Sequence, residues 1–436
     1  GNITLGDGAG TDTLQLGASN QISDTSALTF TGGGTPVFNL NGFSERIGSL
    51  ASANTGAEVQ FGSPGAATSL TVGDATNTTY AGTFTSGNAN PSLVKEGTGT
   101  LTLTGASTGF TGGATVNAGV LKLQSDNALG NGTAGTTITS GATLQIDGGY
   151  LNTSNGNLTL AGLGASGATG ALVGSGGNNR WNGNLTLSGN TTVSTSGTGY
   201  LALGITTTAY NREVDPPAAP TDPTTLDLGS HTLTLSGTTS AGDSRAIYVN
   251  TRITGTGNIV VDMTNPSDTA RFTANLNTYT GTTTINKGTL SLRTLANSYP
   301  GDPVDLNYFG INGNVTIGNS SDAANSAKLL IEAGSLYGEQ IDYTKTITLN
   351  KSGVFNLLNA QSISGVTFNN GGLVDLGTVG GLYLNGDVTV NASLGNTSTI
   401  TGTGTSTLSL TIHQGPVPVP NAERTFTVNG DVGNTS

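Results

Sequence analysis

Asp7-Gly8-Ala9-Gly10-Thr11-Asp12-Thr13-Leu14 sets two carboxylates on a glycine-rich turn, close to the nonapeptide that binds calcium in β-rolls. Calcium takes roughly six to eight oxygens, and a β-roll gathers them from tandem copies on successive turns. This chain has one copy, and Asp7 replaces the first glycine of the pattern. The same residues serve equally as an Asp-capped turn into a strand at Leu14, which is the reading adopted, with no metal ligand assigned.

Catalytic chemistry has few side chains to draw on. The chain contains 2 His and 0 Cys, so thiol nucleophiles and thiolate metal sites are excluded. His231 lies in Gly229-Ser230-His231-Thr232-Leu233, a turn entering a strand, and His413 precedes a Pro-rich stretch. Both read as surface histidines. The densest acidic neighbourhood is Glu332, Glu339 and Asp342, beside Tyr337 and Tyr343. A glycosidase or lyase needs such acids converging in one groove, but a solvated loop keeping a sparsely charged chain soluble uses the same residues. Trp181, after Asn178-Asn179-Arg180, is either a sugar-stacking ring or a corner filler, and the second reading is preferred. Asn-x-Ser/Thr triplets at Asn184, Asn190 and Asn314 follow from composition and carry no glycosylation argument. No catalytic, cofactor-binding or metal-binding residue is assigned, and no cofactor is expected.

The elements that would position these groups are strands. Apolar pairs around a polar residue recur along the chain: Ile3-Thr4-Leu5, Leu101-Thr102-Leu103, Leu121-Lys122-Leu123, Leu158-Thr159-Leu160, Leu233-Thr234-Leu235, Val315-Thr316-Ile317, Val388-Thr389-Val390 and Leu408-Ser409-Leu410. In each, the apolar pair faces one side and the middle residue the other. Gly-rich turns separate them, and no segment has a 3.6-residue apolar period. A composition with 69 Gly and 5% aromatics also suits a disordered linker, but a linker has no use for regular alternation.

One phrase occurs twice. Phe110-Thr111-Gly112-Gly113-Ala114-Thr115-Val116-Asn117-Ala118-Gly119-Val120-Leu121-Lys122-Leu123 returns as Tyr279-Thr280-Gly281-Thr282-Thr283-Thr284-Ile285-Asn286-Lys287-Gly288-Thr289-Leu290-Ser291-Leu292. Self-similarity of this kind marks stacked repeats that bury their apolar edges against neighbours. Triplets stand twenty residues apart from Leu101 to Leu121, and likewise from Val388 to Leu408; Leu233 and Ile259 are separated by twenty-six. Such spacing predicts an all-β fold: one continuous parallel β-helix over residues 1–436, drawn out as a single elongated rod. At roughly 22 residues per coil and about 4.8 Å per rung it makes about twenty coils over about 95 Å. Insertions are expected near 211–223 and 298–309, with a Pro-rich interruption at 415–420 and a last strand from Arg424 to Val428.

Charge narrows the partners. A formal net charge of −12, with 14 Lys and Arg scattered singly, argues against nucleic acid and against anionic membranes. No run approaches the ~20 apolar residues of a membrane helix, so no membrane insertion by this segment is expected. Met263 is the only Met and no signal peptide is seen, which suggests a mature or excised part of something longer.

Leu93-Val94-Lys95-Glu96-Gly97-Thr98-Gly99-Thr100-Leu101-Thr102-Leu103-Thr104-Gly105, running on through Leu123, resembles the autotransporter-associated β-strand repeat, also called the passenger-associated transport repeat. The second copy lacks the Lys-x-Gly-x-Gly lead-in. Asp24 to Phe30, followed by Phe38 to Phe43, is similar to the segment that precedes the repeat in such proteins. The resemblance implies a right-handed parallel β-helix exported by a bacterium, extracellular or on the cell surface. It implies no single activity, since passengers include adhesins, proteases and esterases.

The expectation is a non-enzymatic structural or adhesive element. Strands near both termini, at Ile3 and at Phe426-Thr427-Val428, suggest copies of the chain stacking end to end as a fibre, and cell-surface glycans are a further expected partner. The rival readings are a polysaccharide-active or esterase-type enzyme on the same fold and a glycan-binding adhesin.

Overall fold

The computed structural model describes residues 1–62, 67–87, 91–130, 134–149, 151–152, 156–204, 224–238, 245–274, 277–293, 309–333, 340–391, 393, 396–409 and 426–429. Among them there is no helix, and every strand pair is parallel, as in a β-solenoid. The chain divides into two compact units, Gly1–Ile205 and Thr206–Ser436.

In the first unit one ladder runs through Ile3–Leu5, Ala27–Phe30, Ser49–Ser52, Thr78–Tyr80, Thr100–Leu103, Gly119–Leu123, Ala142–Asp147 and Leu172–Ser175 into Leu185–Ser196. A second climbs from Glu45–Ile47 through Thr68–Val72, Pro91–Lys95, Gly113–Val116, Thr136–Ile138 and Leu158–Gly162. A third joins Thr13–Gln15, Val37–Asn39, Glu58–Gln60 and Thr83–Thr85. It is a three-faced β-helix. Alternation decides which side chains fill it: Leu101 and Leu103 are each 1% exposed, while Thr102 between them is half-buried.

Inside, aromatic rings bridge successive coils. Phe84 lies 6.4 Å from Phe61 on the preceding coil and 5.9 Å from Phe110 on the following one, between centroids, and 5.1 Å from Tyr80 within its own coil. Tilted pairs at these distances add to what burial alone contributes.

In the second unit a ladder passes through Leu233–Gly237, Ile259–Met263, Thr283–Leu292, Val315–Ile317, Thr346–Asn350, Gly365–Asn369, Val388–Asn391 and Phe426–Asn429. Beside it run Arg245–Val249, Thr269–Phe272, the far half of Thr283–Leu292, Ala327–Ile331, Gly353–Leu357, Gly372–Asp375 and Ser398–Thr401. Ala360–Ile363, Gly381–Leu384 and Thr407–Ser409 form a third face. The register aligns Thr284, Thr316, Thr348, Thr367, Thr389 and Thr427 in one outward row. Next to it the amides of Asn369, Asn391 and Asn429 form a chain, Asn391 Nδ2 donating to Asn369 Oδ1 at 2.7 Å and Asn429 Nδ2 to Asn391 Oδ1 at 3.1 Å.

Register tests the spacing expectations directly. Leu101 does pair with Leu121, and Leu233 with Ile259. Val388, however, pairs with Phe426, and Leu408 with Leu382 on another face. Coils also vary widely, from Ile347 to Val366 at the short end to Val388 to Phe426 at the long end. Twenty coils is therefore too many. The expected insertions at 211–223 and 298–308 and the Pro-rich 415–420 lie outside the described residues, as do Arg424 and Ala-to-Thr neighbours before Phe426. Phe309, expected on the second insertion, is 4% exposed and meets Tyr343 edge-on at 6.2 Å.

Candidate functional site

The carboxylates of the Asp7–Leu14 turn stay on one coil. Asp12 Oδ2 accepts the Asp7 N–H at 3.2 Å, capping the turn. The coil stacked on it presents Gly33 and Thr35, whose N–H groups donate to Gly8 O at 2.9 Å and Gly10 O at 2.8 Å. That second rung supplies backbone and the Thr35 hydroxyl, but no second carboxylate. Among the described residues no group of three or more His, Asp or Glu side chains is placed to hold a metal ion.

His231 sits half-buried in a turn, its N–H donating to Leu228 O at 2.9 Å. His413, Glu339 and Tyr337 lie outside the described residues. The rest of the acidic neighbourhood is already engaged. Glu332 pairs with Arg271 and accepts the Ser291 hydroxyl. Asp342 holds Lys345 at 3.3 Å and accepts the Thr344 N–H and hydroxyl at 2.9 and 2.8 Å. Trp181 is 1% exposed inside the first unit, so its ring is unavailable to a sugar; Nε1 has no hydrogen-bond partner. Its neighbour Asn179 is spent on backbone, accepting Gly149 N–H at 3.0 Å and donating to Ser175 O at 2.9 Å. Asn184, Asn190 and Asn314 are exposed.

A Gly-x-Ser-x-Gly stretch, Gly105 to Gly109, escapes the sequence reading. Its Ser107 is 1% exposed, and the hydroxyl accepts the Phe84 N–H at 3.1 Å. A nucleophile elbow exposes its serine at a strand-to-helix turn, whereas this one is a buried brace between coils.

Three ionic groups, Lys95 and Glu45 buried and Asp147 half-buried, also went unseen. Lys95 is 3% exposed, and its ammonium donates to the carbonyls of Glu96, Gly97 (3.0 Å) and Ala118 (3.3 Å). Burial lowers its pKa to about 8, with Asp74 and Glu96 pulling it partly back. Its place in Leu93-Val94-Lys95, at an inward position, is a signal the alternation already contained. Glu45, 1% exposed, accepts the N–H groups of Gln21 at 2.8 Å, Ile22 at 3.3 Å and Arg46 at 3.1 Å. For Asp147, burial opposes ionisation, but the Ser175 hydroxyl (2.8 Å), Gln124 amide (2.7 Å) and Lys122 (3.4 Å) together outweigh it. The carboxyl is left below its usual range.

Each of these groups ties one coil to another. Compared with known families, residues 93–123 and 267–292 match the passenger-associated-transport-repeat model. The chain carries two passenger-associated transport repeats. No curated protein and no solved structure matches it. Within the first repeat, Thr100–Leu103 lies against Gly119–Leu123; within the second, Thr269–Phe272 lies against the end of Thr283–Leu292 in the same arrangement. The second repeat therefore begins well before Tyr279, where its sequence likeness becomes visible. Phe110 and Tyr279, the aromatic leads, are both 0% exposed. Gly119 and Gly288, at φ +64° and +86°, share the tight corner that only glycine takes without strain.

Proposed function

We propose that this chain is a non-enzymatic, passenger-like β-helix exported by a bacterium, acting as a structural or adhesive element outside the cell or on its surface. The observation that carries this reading is where the polar side chains go. Thr11 bonds Thr35, Asn54 bonds Gly34, Thr85 bonds Glu58, Thr111 bonds Ser86, and Asn391 bonds Asn369, each reaching a neighbouring coil. Groups held in this way rigidify a scaffold. The two transport repeats support export, and the ordered outward rows support a surface presented for contact.

Stacking of copies end to end belongs to the same proposal. Its support is the parallel ladder itself, as between Thr13–Gln15 and Val37–Asn39, in which each coil presents backbone donors and acceptors to the next. Electron microscopy of natively secreted material tests both parts. Continuous thin fibres with a regular subunit repeat are expected. Isolated monomeric particles at high concentration sink the stacking, and recovery of the protein only from the cytoplasm sinks the exported role.

A further inference from the structure

Strand alternation covers the outward side of the first unit with polar side chains, and at one place it leaves a gap. On the rung Ala27–Phe30 the outward positions are Thr29 and, just past its end, Thr31. Phe30 pairs with Ser52, and Ser52 with Tyr80. Ala51 therefore lies between Thr29 and Thr79, and Ala53 between Thr31 and Ala81. Alanines stand where the neighbouring rungs carry threonines, and the missing side chains open a cleft of about 750 Å³. Small-molecule sites fall in the range of roughly 300–1,000 Å³.

The walls are held by their own hydrogen bonds. Asn54 Nδ2 donates to Gly34 O at 2.8 Å, and its Oδ1 accepts the Gly56 N–H at 2.8 Å. Ser52 Oγ accepts the Asn54 N–H at 3.0 Å, and Thr31 Oγ1 donates to Gly6 O at 2.7 Å. The hydroxyls of Thr29, Thr55 and Thr79, which also line the cleft, have no hydrogen-bond partner among the described residues. Elsewhere in the unit, the hydroxyls of Thr85 and Thr111 bond neighbouring coils.

Elimination narrows the occupant. No charged side chain lines the cleft, so neither an anion nor a metal ion finds a counter-charge there. Each of the three rungs is already paired on both sides, which leaves no strand edge for a peptide to join. A purely apolar ligand would cover the threonine hydroxyls without bonding them. The chemistry that fits is uncharged, bonds hydroxyls and turns C–H groups toward the methyls of Ala51, Ala53 and Ala81.

We propose that this cleft binds a neutral glycan, with Thr29, Thr55 and Thr79 hydrogen-bonding its hydroxyls. Thr29 and Thr79 stand two rungs apart, about 10 Å at ~4.8 Å per rung. The cleft is open to solvent at Thr31, Ala53 and Thr55, so a saccharide chain can lie across the rungs and continue beyond them. This deepens the adhesive reading above and rests on it only for where the glycan is met; the binding itself rests on the register and on the unpaired hydroxyls.

The test is retention of the purified full chain on immobilised β-glucan, galactan and mannan, with polygalacturonate as the charged counterpart. Wild type is expected to be retained on at least one neutral polymer, to stay bound in added salt, and to be released by the matching soluble oligosaccharide. Thr29→Val combined with Thr79→Val keeps the shape of the cleft and removes two hydroxyls, and should weaken binding by roughly tenfold or more. Ala51→Ile fills the floor and should abolish it. Thr115→Val combined with Thr137→Val removes outward hydroxyls from another ladder and should leave binding unchanged. Thermal melts establish that every variant is folded. Absence of retention on all three neutral polymers, tighter retention on polygalacturonate, wild-type binding by either cleft variant, or equal loss on changing Thr115 and Thr137 overturns the assignment. None of these outcomes bears on export or fibre formation, which microscopy of the secreted material decides separately.

Discussion

Lys95, in the first repeat, and Val261, on the strand ahead of the second, occupy equivalent places in their ladders. Lys95 lies opposite Val116 and Val261 opposite Ile285, and Val116 and Ile285 are the same position of the repeated phrase. Both are buried, at 3% and 0% exposure. One corner is closed by an ammonium on three carbonyls, the other by a branched hydrocarbon. The coil geometry thus tolerates either solution, but only the first titrates.

That difference gives a pH signature. Lys95 releases its proton at about 8 when folded and near 10.5 when unfolded. Between these values the unfolded chain holds more protons, so stability rises with pH through that window. At about 1.4 kcal/mol per pKa unit the rise reaches on the order of 3 kcal/mol. Lys95→Met removes it. Denaturant unfolding at pH 7.5 and 9.5 checks this: the wild-type midpoint should climb while the variant's stays level, and parallel curves would falsify the assignment.

Tyr279 works in the opposite direction at higher pH. Its hydroxyl shares a 2.7 Å hydrogen bond with Thr283 in the core, and burial holds its pKa far above 10. Once the unfolded tyrosine ionises, above about pH 10, the folded state loses stability relative to it. Tyr279→Phe leaves the Thr283 hydroxyl buried without its partner and should cost about 1–3 kcal/mol at neutral pH. In the same variant the decline above pH 10 becomes shallower. Melts from pH 7 to 11 read both effects, and an unchanged alkaline limb contradicts the second.

The strand alternation was legible because every coil repeats it, and so was the interior position of Trp181. Lys95 was legible too, on the inward parity shared with Leu93. What sequence spacing lacks is the identity of the face. Leu408-Ser409-Leu410 looks like the rung after Val388-Thr389-Val390, yet Leu408 and Ser409 pair with Leu382 and Tyr383. All three faces use the same apolar–polar rhythm, so a triplet does not announce its ladder. The Arg271–Glu332 pair was invisible for a related reason: sixty-one residues separate its members, and only coil stacking brings them together.

Two glycine substitutions separate backbone strain from steric exclusion. A Cβ on Gly119 would lie 2.4 Å from Gly99 O and 2.5 Å from Gly97 O, and φ there is +64°. Gly141 has φ +89° but nothing within 4 Å of its Cβ position. Gly141→Ala should cost about 1 kcal/mol, from the left-handed backbone alone. Gly119→Ala carries that cost and a clash with rigid backbone, so a loss of about 3 kcal/mol or more is expected. Chemical denaturation of both variants decides it; equal losses mean that the corner yields and the close approach is not a constraint.

Asp147 supplies the acid limb of the pH profile. Its lowered pKa means that the folded state keeps the carboxylate ionised where the unfolded chain begins to protonate, near 3.8. The stability it contributes is therefore present above that value and disappears as pH falls through the folded pKa. Asp147→Asn keeps the shape, weakens the bonds from Ser175 and Gln124, and releases Lys122. A loss of about 1–2 kcal/mol at pH 7 is expected, reduced for partial exposure. By pH 3 the gap between variant and wild type should have narrowed. A constant gap from pH 7 to 3 would show that the side chain acts through packing, and that its charge contributes nothing to holding the Gln124 and Ser175 coils together.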